Sequence, residues 1–450
     1  MVKQREPIVA IATPLGESAI GVVRMSGLGV LQRVMDLLSI KGNLKPRYAH
    51  FVKLREEDGQ ILDEGILIYY PSPKSYTGED MVELFLHGNP LILRKALQLF
   101  LSRGIRLAEP GEFTKRAFLN GKMDLLQAEA VADLIGSKSE RAIKAAQRQL
   151  QGELSSYINT LREKLLEVLT YVEADIEFSE EDIPTLSKQQ LISQLKSLNQ
   201  SIEVLLTTVK TGEFLRRGIN LALVGKPNVG KSSLFNALLG IERAIVTDVP
   251  GTTRDYLQES FTLEGIPINL IDTAGIRHTE DPVEKIGVER SLEKLKSAHM
   301  VIFVVDGSSP LEEEDLHIFQ MVKPLEHIVV INKKDKAQIR EVIETFPNAI
   351  SVSALTGEGI NLLKRTLLER LGIHALDSLQ VYISVRHENL LKKSQGVLKS
   401  LISRLETEDI FPEILMLDLR EALSYLEEIV GFVSTEDVLE SIFSKFCIGK

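Results

Sequence analysis

The sequence predicts a multidomain α/β plus α protein, with an alternating strand–helix domain lying between two helical stretches and following an N-terminal mixed α/β region. Three observations predict it. Gly225-Lys-Pro-Asn-Val-Gly-Lys-Ser-Ser233 fits the phosphate-loop pattern G-x-x-x-x-G-K-[ST] and sits between an apolar run, Ile219 to Val224, and a helical run, Ser233 to Leu239. Short β-rich runs fill residues 1 to about 120. Apolar residues recur at helical spacing from about Asp124 to Leu206, and again after His374.

Composition bounds the reading. A length of 450 residues exceeds one ordinary core and suggests about three domains. With 44 % hydrophobic and 26 % charged residues, the chain reads as globular, not disordered. A net charge of −10 argues against a broad nucleic-acid-coating surface and leaves room for a local basic patch. The single cysteine, Cys447, excludes an internal disulfide framework and fits a reducing cytosol, so a cytoplasmic location is expected. Pro7, Pro14 and Glu17 interrupt the first 25 residues, so no signal peptide is expected, and no run approaches the roughly twenty apolar residues of a membrane span.

In the first 120 residues, Ile8 to Ala12, Ile20 to Arg24, Phe51 to Leu54, Ile66 to Tyr70 and the alternating Met81 to Leu86 read as strands. Pro90 to Ser102 has helical spacing through Leu93, Leu97 and Phe100 and stops at Gly104. Glu109 to Thr114 reads as a turn into the next helix. Beyond Asp124, Leu154, Ile158, Leu161, Leu165 and Val168 form one apolar stripe, and Phe178 to Pro184 is an acidic break. Helical patterns resume over Leu191 to Leu206, Leu390 to Leu405, Ile414 to Val430 and Val438 to Phe446. Arg141, Lys144 and Arg148 share a helix face and are candidates either for a solvated surface or for contact with RNA phosphate. The expected domains are 1–120, 121–212, 213–375 and 376–450. Periodicity leaves open whether the two helical stretches pack as one bundle.

The central domain carries nucleotide chemistry. Glycines let the phosphate-loop N–H groups face a phosphate at a helix N-terminus. Lys231 would reach β- and γ-phosphate oxygens, and the Ser232 hydroxyl would ligate Mg2+. The polar loop Thr247 to Asp255 follows, and Leu257 to Leu263 and Ile266 to Ile271 read as strands that deliver Asp272-Thr-Ala-Gly275. Asp272 would hold Mg2+ through water, and the Gly275 N–H would meet the γ-phosphate. After the strand Met300 to Val305, the strand Ile328 to Ile331 ends in Asn332-Lys-Lys-Asp335. A carboxylate there accepts from the guanine N1–H and exocyclic amine, which selects guanine over adenine. Ser353-Ala354 would face the guanine O6. The order and strand-end placement of these motifs predict a GTPase. The expected GTP contacts are Asn228, Val229, Gly230, Lys231, Ser232 and Ser233, with Thr247, Asp248, Val249, Pro250, Gly251, Thr252 and Thr253 from the second loop. Asp272, Thr273, Ala274, Gly275, Asn332, Lys333, Asp335, Ser353 and Ala354 complete the set.

One position departs from the Ras-like pattern. Where a Gln orients the attacking water, this chain has Ile276. Glu280, Asp281, Glu284 and Glu289 are candidates for that task. The positive charge for the transition state would come from Arg254, from Arg277, or from a monovalent cation near Asn228 caged by carbonyls of the 247–252 loop.

The C-terminal Phe446-Cys-Ile-Gly-Lys450 fails as a prenylation box, since Gly is not aliphatic and Lys is not an accepted last residue. A Cys at an apolar helix end reads as a packing residue on composition, and its place after Ile442 and Phe443 suggests a chain end delivered to a defined position. Ser434, with Asp437 three residues on, is the expected cap of the last helix.

Taken together, G-K-P-N-V-G-K-S-S, T-D-V-P-G-T-T-R-D, D-T-A-G-I-R and the terminal F-C-I-G-K resemble the tRNA uridine-modification GTPase family (MnmE, also called TrmE). The N-terminal I-A-T-P, Y-T-G-E-D-M-V-E-L-F-L-H-G and P-G-E-F-T-K-R-A-F-L-N-G-K-M-D-L-L-Q-A-E-A resemble it too, so the likeness covers essentially the whole chain. It implies an N-terminal α/β domain that binds folate and dimerises, and a Ras-like P-loop G domain inserted in a helical domain. It implies a homodimer that joins an FAD-dependent partner subunit (MnmG, or GidA), which uses NADH, in a heterotetramer. Together they would add a carboxymethylaminomethyl or aminomethyl group at C5 of the wobble uridine of certain tRNAs. The one-carbon unit would come from 5-formyl- or methylene-tetrahydrofolate. By motif, Arg24, Glu83, Lys122 and Lys450 would contact folate. Asn228, Thr247, Val249 and Thr252 would hold K+, Ser232 and Thr253 would hold Mg2+, Glu284 would orient the water, and Cys447 would be the thiol near the modified base. The alternative is a regulatory or ribosome-assembly GTPase without modification chemistry, for which a basic, β-containing C-terminal domain would be the sign.

Overall fold

The computed structural model describes residues 6–40, 44–177, 187–240, 260–271, 295–373 and 381–450. They fall into two compact units, one of Met1–Ala132, Gln149–Asn199 and Lys393–Lys450, the other of Asp133–Arg148 and Gln200–Lys392.

The first unit opens with a seven-stranded sheet. Its strands are β1 (Ile8–Ile11), β2 (Ser18–Ser26), β3 (Leu38–Ile40), β4 (His50–Arg55), β5 (Ile61–Tyr70), β6 (Met81–Gly88) and β7 (Arg106–Leu107), in the order β3-β4-β5-β6-β2-β1-β7. All neighbours are antiparallel except β1 and β7. Alternation along β6 sends Val82, Leu84 and Leu86 into a core shared with Leu93, Ala96 and Phe100 of the helix Pro90–Ser102. That helix starts where Asn89 accepts from Leu91 N (2.8 Å), with Pro90 in its first turn. Strands β3 and β7 and the short helix Val30–Val34 escape the sequence reading because each is too short to show a period. The strand expected over Ile20 to Arg24 runs Ser18–Ser26, so Arg24 lies inside it, not at its end.

The helices before and after residues 200–392 pack together within the first unit. The stripe Leu154, Ile158, Leu161, Leu165 and Val168 on Glu153–Glu177 is buried, as are Leu419, Ala422, Leu426 and Ile429 on Pro412–Val430. Arg162 pairs with Glu427 (3.0 Å) and Arg420 with Glu173 (2.7 Å), and Ser394 Oγ donates to Ala422 O (3.0 Å). The chain leaves this bundle near Asn199 and re-enters it near Lys393, so the domain between is an insertion. The last helix, Glu436–Phe443, corrects one expectation. Its cap is Thr435, whose hydroxyl accepts from Val438 N (3.4 Å), and not Ser434. Thr435 stands three residues before that orphan N–H, the spacing a capping hydroxyl requires.

The second unit holds a six-stranded sheet of β8 (Ile219–Val224), β9 (Ser260–Leu263), β10 (Ile266–Ile271), β11 (Met300–Asp306), β12 (His327–Asn332) and β13 (Ile350–Ser351), ordered β13-β12-β11-β8-β10-β9. Every pairing is parallel except that of β9 with β10. Near-continuous apolar runs such as Val301–Val305 fit strands covered on both faces, with separate cores on either side. The order reverses beside β8, which places the carboxyl ends of β8, β11 and β12 at the switch point where open α/β sheets bind ligands.

Candidate functional site

In the second unit, β8 ends at Val224 and the phosphate loop turns into the helix Lys231–Leu239. Two glycines make that turn sterically feasible. Gly225 has φ 151° and a Cβ there would lie 2.2 Å from Val304 O; Gly230 has φ 96° and a Cβ would lie 2.3 Å from Asn332 Nδ2. The Lys231 ammonium donates to the carbonyls of Gly225 (2.6 Å) and Lys226 (2.7 Å), which holds the cation over its own loop. Ser232 and Ser233 are exposed at the helix start. Asn228 is exposed with a left-handed backbone, φ 64°.

The N-K-x-D loop leaves β12 and is tied in three directions. Asn332, 2 % exposed, donates to Val229 O (2.9 Å) and accepts from Ala354 N (3.0 Å), so it joins the phosphate loop to the 353–354 loop. Lys333 pairs with Asp306 at the end of β11. Burial opposes ionisation of Asp306, but Lys333 and Ser308 hold its carboxyl below the ordinary aspartate value. Asp335 is exposed, and the buried Ser353 donates to it. That hydrogen bond holds the Asp335 carboxyl below its usual range, so it is an acceptor throughout the neutral range. The predicted Asn332, Lys333, Asp335, Ser353 and Ala354 thus gather with Val229 and Gly230. Thr247 to Thr253, Asp272 to Gly275, Arg254, Ile276, Arg277, Glu280, Asp281, Glu284 and Glu289 lie outside the described residues, as do Phe178 to Pro184. Arg141, one of the three basic residues singled out on a helix face, donates to Glu264 O (3.0 Å).

A second site lies in the first unit. Arg24 on β2 stands directly across from Glu83 on β6 and pairs with it at 2.8 Å. Tyr70 OH donates to the other Glu83 oxygen (3.3 Å). Arg24 also lies over the rings of Tyr76 (5.7 Å) and Phe113 (5.8 Å) and donates to Gly449 O (3.1 Å). The chain's last residues therefore dock beside the strand pair. Phe443 and Phe446 pack with Leu125 and Ala128; Ile448 bridges Pro110; Phe113 N donates to Lys450 O (3.2 Å). Gly449, φ 99°, leaves no room for a side chain, since a Cβ would lie 2.8 Å from Ile11 O. Burial, and then the Arg24 guanidinium, push the Lys450 ammonium below its usual pKa, while Glu83 and Cys447 act the other way. Cys447 is exposed, so the packing role that composition suggests for it does not hold. The helix has ended at Phe443, and Cys447 lies in the tail beyond it, its carbonyl accepting from Lys450 N (3.3 Å).

A cavity of about 480 Å3 adjoins the pair, lined by Tyr70, Ser75, Tyr76, Met81 and Glu83, with Arg47, Lys74 and Lys122. Lys122 donates to Pro73 O (3.1 Å). Sequence reasoning missed Arg47, Tyr70 and Tyr76. The period of β5 places Tyr70 on the face of Ile68, the residue opposite Glu83, which was a usable signal; Arg47 lies in a turn and left none. A buried charge cluster supports this end. Arg116, its side chain 3 % exposed, pairs with Glu112 (2.8 Å) and Glu79 (2.9 Å), and Arg106 pairs with Glu112 (2.6 Å).

Family models match both regions: "GTP-binding protein TrmE N-terminus" over residues 7–122 and "MnmE helical domain" over residues 125–447. The chain belongs to the MnmE family. The tRNA modification GTPase MnmE of Aquifex aeolicus is 59 % identical over 99 % of this chain and 100 % of that protein. Its counterpart in Thermotoga maritima is 42 % identical over the same shares. Of solved structures, the G domain of the FeoB iron transporter of T. maritima covers 34 % of this chain and 98 % of its own at 33 % identity, with a TM-score of 0.26 too low to bear on function. Membership in the MnmE family makes this chain a GTP-binding hydrolase of tRNA modification, with a P-loop G domain, an N-terminal domain and a helical domain. Among the described residues no helix is long and apolar enough to cross a membrane.

Proposed function

We propose that this chain hydrolyses GTP in order to help install a carboxymethylaminomethyl or aminomethyl group at C5 of the wobble uridine of certain tRNAs. It does so as a homodimer formed through residues 1–120, joined to an FAD-dependent, NADH-using MnmG subunit. The observation that carries the reading is the docking of Gly449 and Lys450 against the Arg24–Glu83 pair, beside a cavity with an aromatic, acid-floored wall. A reduced folate suits that chemistry. Glu83 can accept from a pterin's N–H groups, Tyr70 and Tyr76 offer surface to its ring, and Lys122 and Lys450 supply positive charge for its carboxylates. Bound folate supplies the one-carbon unit at oxidation levels a protein side chain cannot hold. The exposed Cys447, three residues from Lys450 and acting on its ammonium, is the thiol that would serve the base.

In the G domain, Lys231 and the phosphate-loop N–H groups hold phosphate, and Asp335 reads guanine. The Ser232 hydroxyl, exposed at the helix start, fits a Mg2+ ligand shared with Thr253. The Asn228 side chain is exposed and held by a left-handed backbone, which fits a hard-cation ligand shared with Thr247, Val249 and Thr252. A K+ ion held there would supply positive charge at the phosphates, and Glu284 would orient the water. Nucleoside analysis of tRNA from cells with and without this protein tests the reading. The expected result is loss of the C5-modified wobble uridine, with the unmodified base in its place. Unchanged wobble uridine, with a defect in ribosome assembly, would establish the regulatory alternative.

A further inference from the structure

The cavity beside the Arg24–Glu83 pair has two chemically distinct parts. Its floor is aromatic and acidic, and the one carboxylate that lines it, Glu83, is already held by Arg24 and Tyr70. Its rim carries three exposed cations, Arg47, Lys74 and Lys122. Among the described residues none of the three has a carboxylate within ion-pair distance, and Lys122 is bound only to the neutral carbonyl of Pro73. The nearby acids are committed elsewhere: Glu79 to Arg116, and Asp80 to the Ser72 N–H (2.9 Å). An uncompensated basic rim stands out on a chain of net charge −10. Arg47 is also placed at a backbone cost. Its φ of 62° is left-handed, where Asn or Gly is favoured, and its N–H is fixed to Tyr69 O at 2.7 Å. The value of Arg at this position therefore lies in the side chain.

We propose that Arg47, Lys74 and Lys122 form a subsite for the glutamate tail of the folate donor, so that this chain prefers polyglutamylated over monoglutamylated folates. The proposal rests on the folate reading above. Each added glutamate brings one carboxylate, and a ring seated on the aromatic floor delivers that tail to the rim. The rim pairs are solvent-exposed, so each contributes modestly and their sum fades as salt is added.

The test titrates the full chain with the mono- and pentaglutamate forms of 5-formyltetrahydrofolate, in low and in high salt. In wild type the pentaglutamate should bind roughly tenfold tighter at low salt, with the ratio falling towards one at high salt. The variant Arg47→Asn/Lys74→Gln, in which Asn suits the left-handed backbone, should bring the low-salt ratio close to one. Circular dichroism melting checks that it folds, and Arg47→Gln/Lys74→Gln replaces it otherwise. A ratio near one in wild type, or a tenfold ratio retained in the variant, overturns the subsite. So does a variant that loses tRNA affinity and keeps the ratio, which would assign the rim to tRNA phosphate. Failure of both folates to bind wild type instead overturns the folate reading, and the subsite with it.

Discussion

The two sites of this chain are built by opposite means. In the G domain, the site is made of short loops at the ends of neighbouring parallel strands, and the backbone is its main instrument. Gly225 and Gly230 bring carbonyls and N–H groups to positions no side chain would permit, and Asn332 uses its whole amide to tie one loop to the next. In the N-terminal unit, the site is made of side-chain charges that meet from distant parts of the chain: Arg24, Glu83, and the tail at Gly449 and Lys450. Its glycine, Gly449, is there to let the tail lie against β1, not to present N–H groups. A backbone site recurs wherever strand ends adjoin, so it identifies phosphate and base. A site assembled from the two ends of one chain belongs to that chain's own chemistry.

The largest effect that would break this contrast is at Asp335. On the proposed reading Asp335 would accept two charge-assisted hydrogen bonds from guanine, and Asp335→Asn would put in its place a neutral amide, whose N–H2 faces the guanine donors in one orientation and whose single oxygen carries no charge in the other. GTP affinity should fall by about 100-fold or more. Xanthosine triphosphate, which offers a carbonyl where guanine offers an amine, should gain relative to GTP. Competition binding of the two nucleotides reads this directly. Unchanged preference would mean that the base is read elsewhere.

How much of this was legible follows from the same contrast. Strands β8, β10, β11 and β12 and the loops at their ends could be read because motif residues are consecutive and strands buried on both faces are plain apolar runs. The long helices were equally plain, and Pro90–Ser102 shows both of its boundary signals in sequence, Asn89-Pro90 before it and Gly104 after it. The N-terminal site was not legible in this way. Nothing in spacing connects Arg24 to Glu83, or either to Lys450; the register of β2 on β6 and the fold of the tail do that. Only resemblance named those residues, and it passed over Arg47, Tyr70 and Tyr76, which the fold brings together as lining of one cavity.

A second effect tests whether the N-terminal site depends on its buried charges. Glu112→Gln removes the carboxylate that Arg106 and the buried Arg116 share, and leaves Arg116 with Glu79 alone. Breaking a buried pair by removing one partner costs about 3 kcal/mol. Glu112 begins the helix whose next residue, Phe113, holds Lys450 O, so the tail should loosen as well. Amide exchange across residues 443–450 should accelerate by about 100-fold, while GTP affinity stays as in wild type. A parallel fall in GTP affinity would show that the two sites are not built independently.

The smallest effect is the acid dependence of that difference. Burial favours the neutral form of Glu112, but Arg106, the Glu109 N–H and Arg116 outweigh it and hold its carboxyl below the ordinary glutamate value. Because the folded value is the lower one, ionised Glu112 stabilises the fold at pH values above its unfolded pKa. That stabilisation is lost as the pH falls through the folded value. The glutamine side chain of the Glu112→Gln variant does not titrate and resembles protonated Glu112 in shape. The melting temperatures of wild type and Glu112→Gln, followed by circular dichroism, should therefore differ by a constant amount from pH 7 down to about pH 5. Below that the gap should narrow, with wild type moving towards the variant. A gap that closes already between pH 7 and 6 would mean that some other group titrates, His residues first, and that the Arg106–Glu112–Arg116 cluster is not what holds this end of the molecule together.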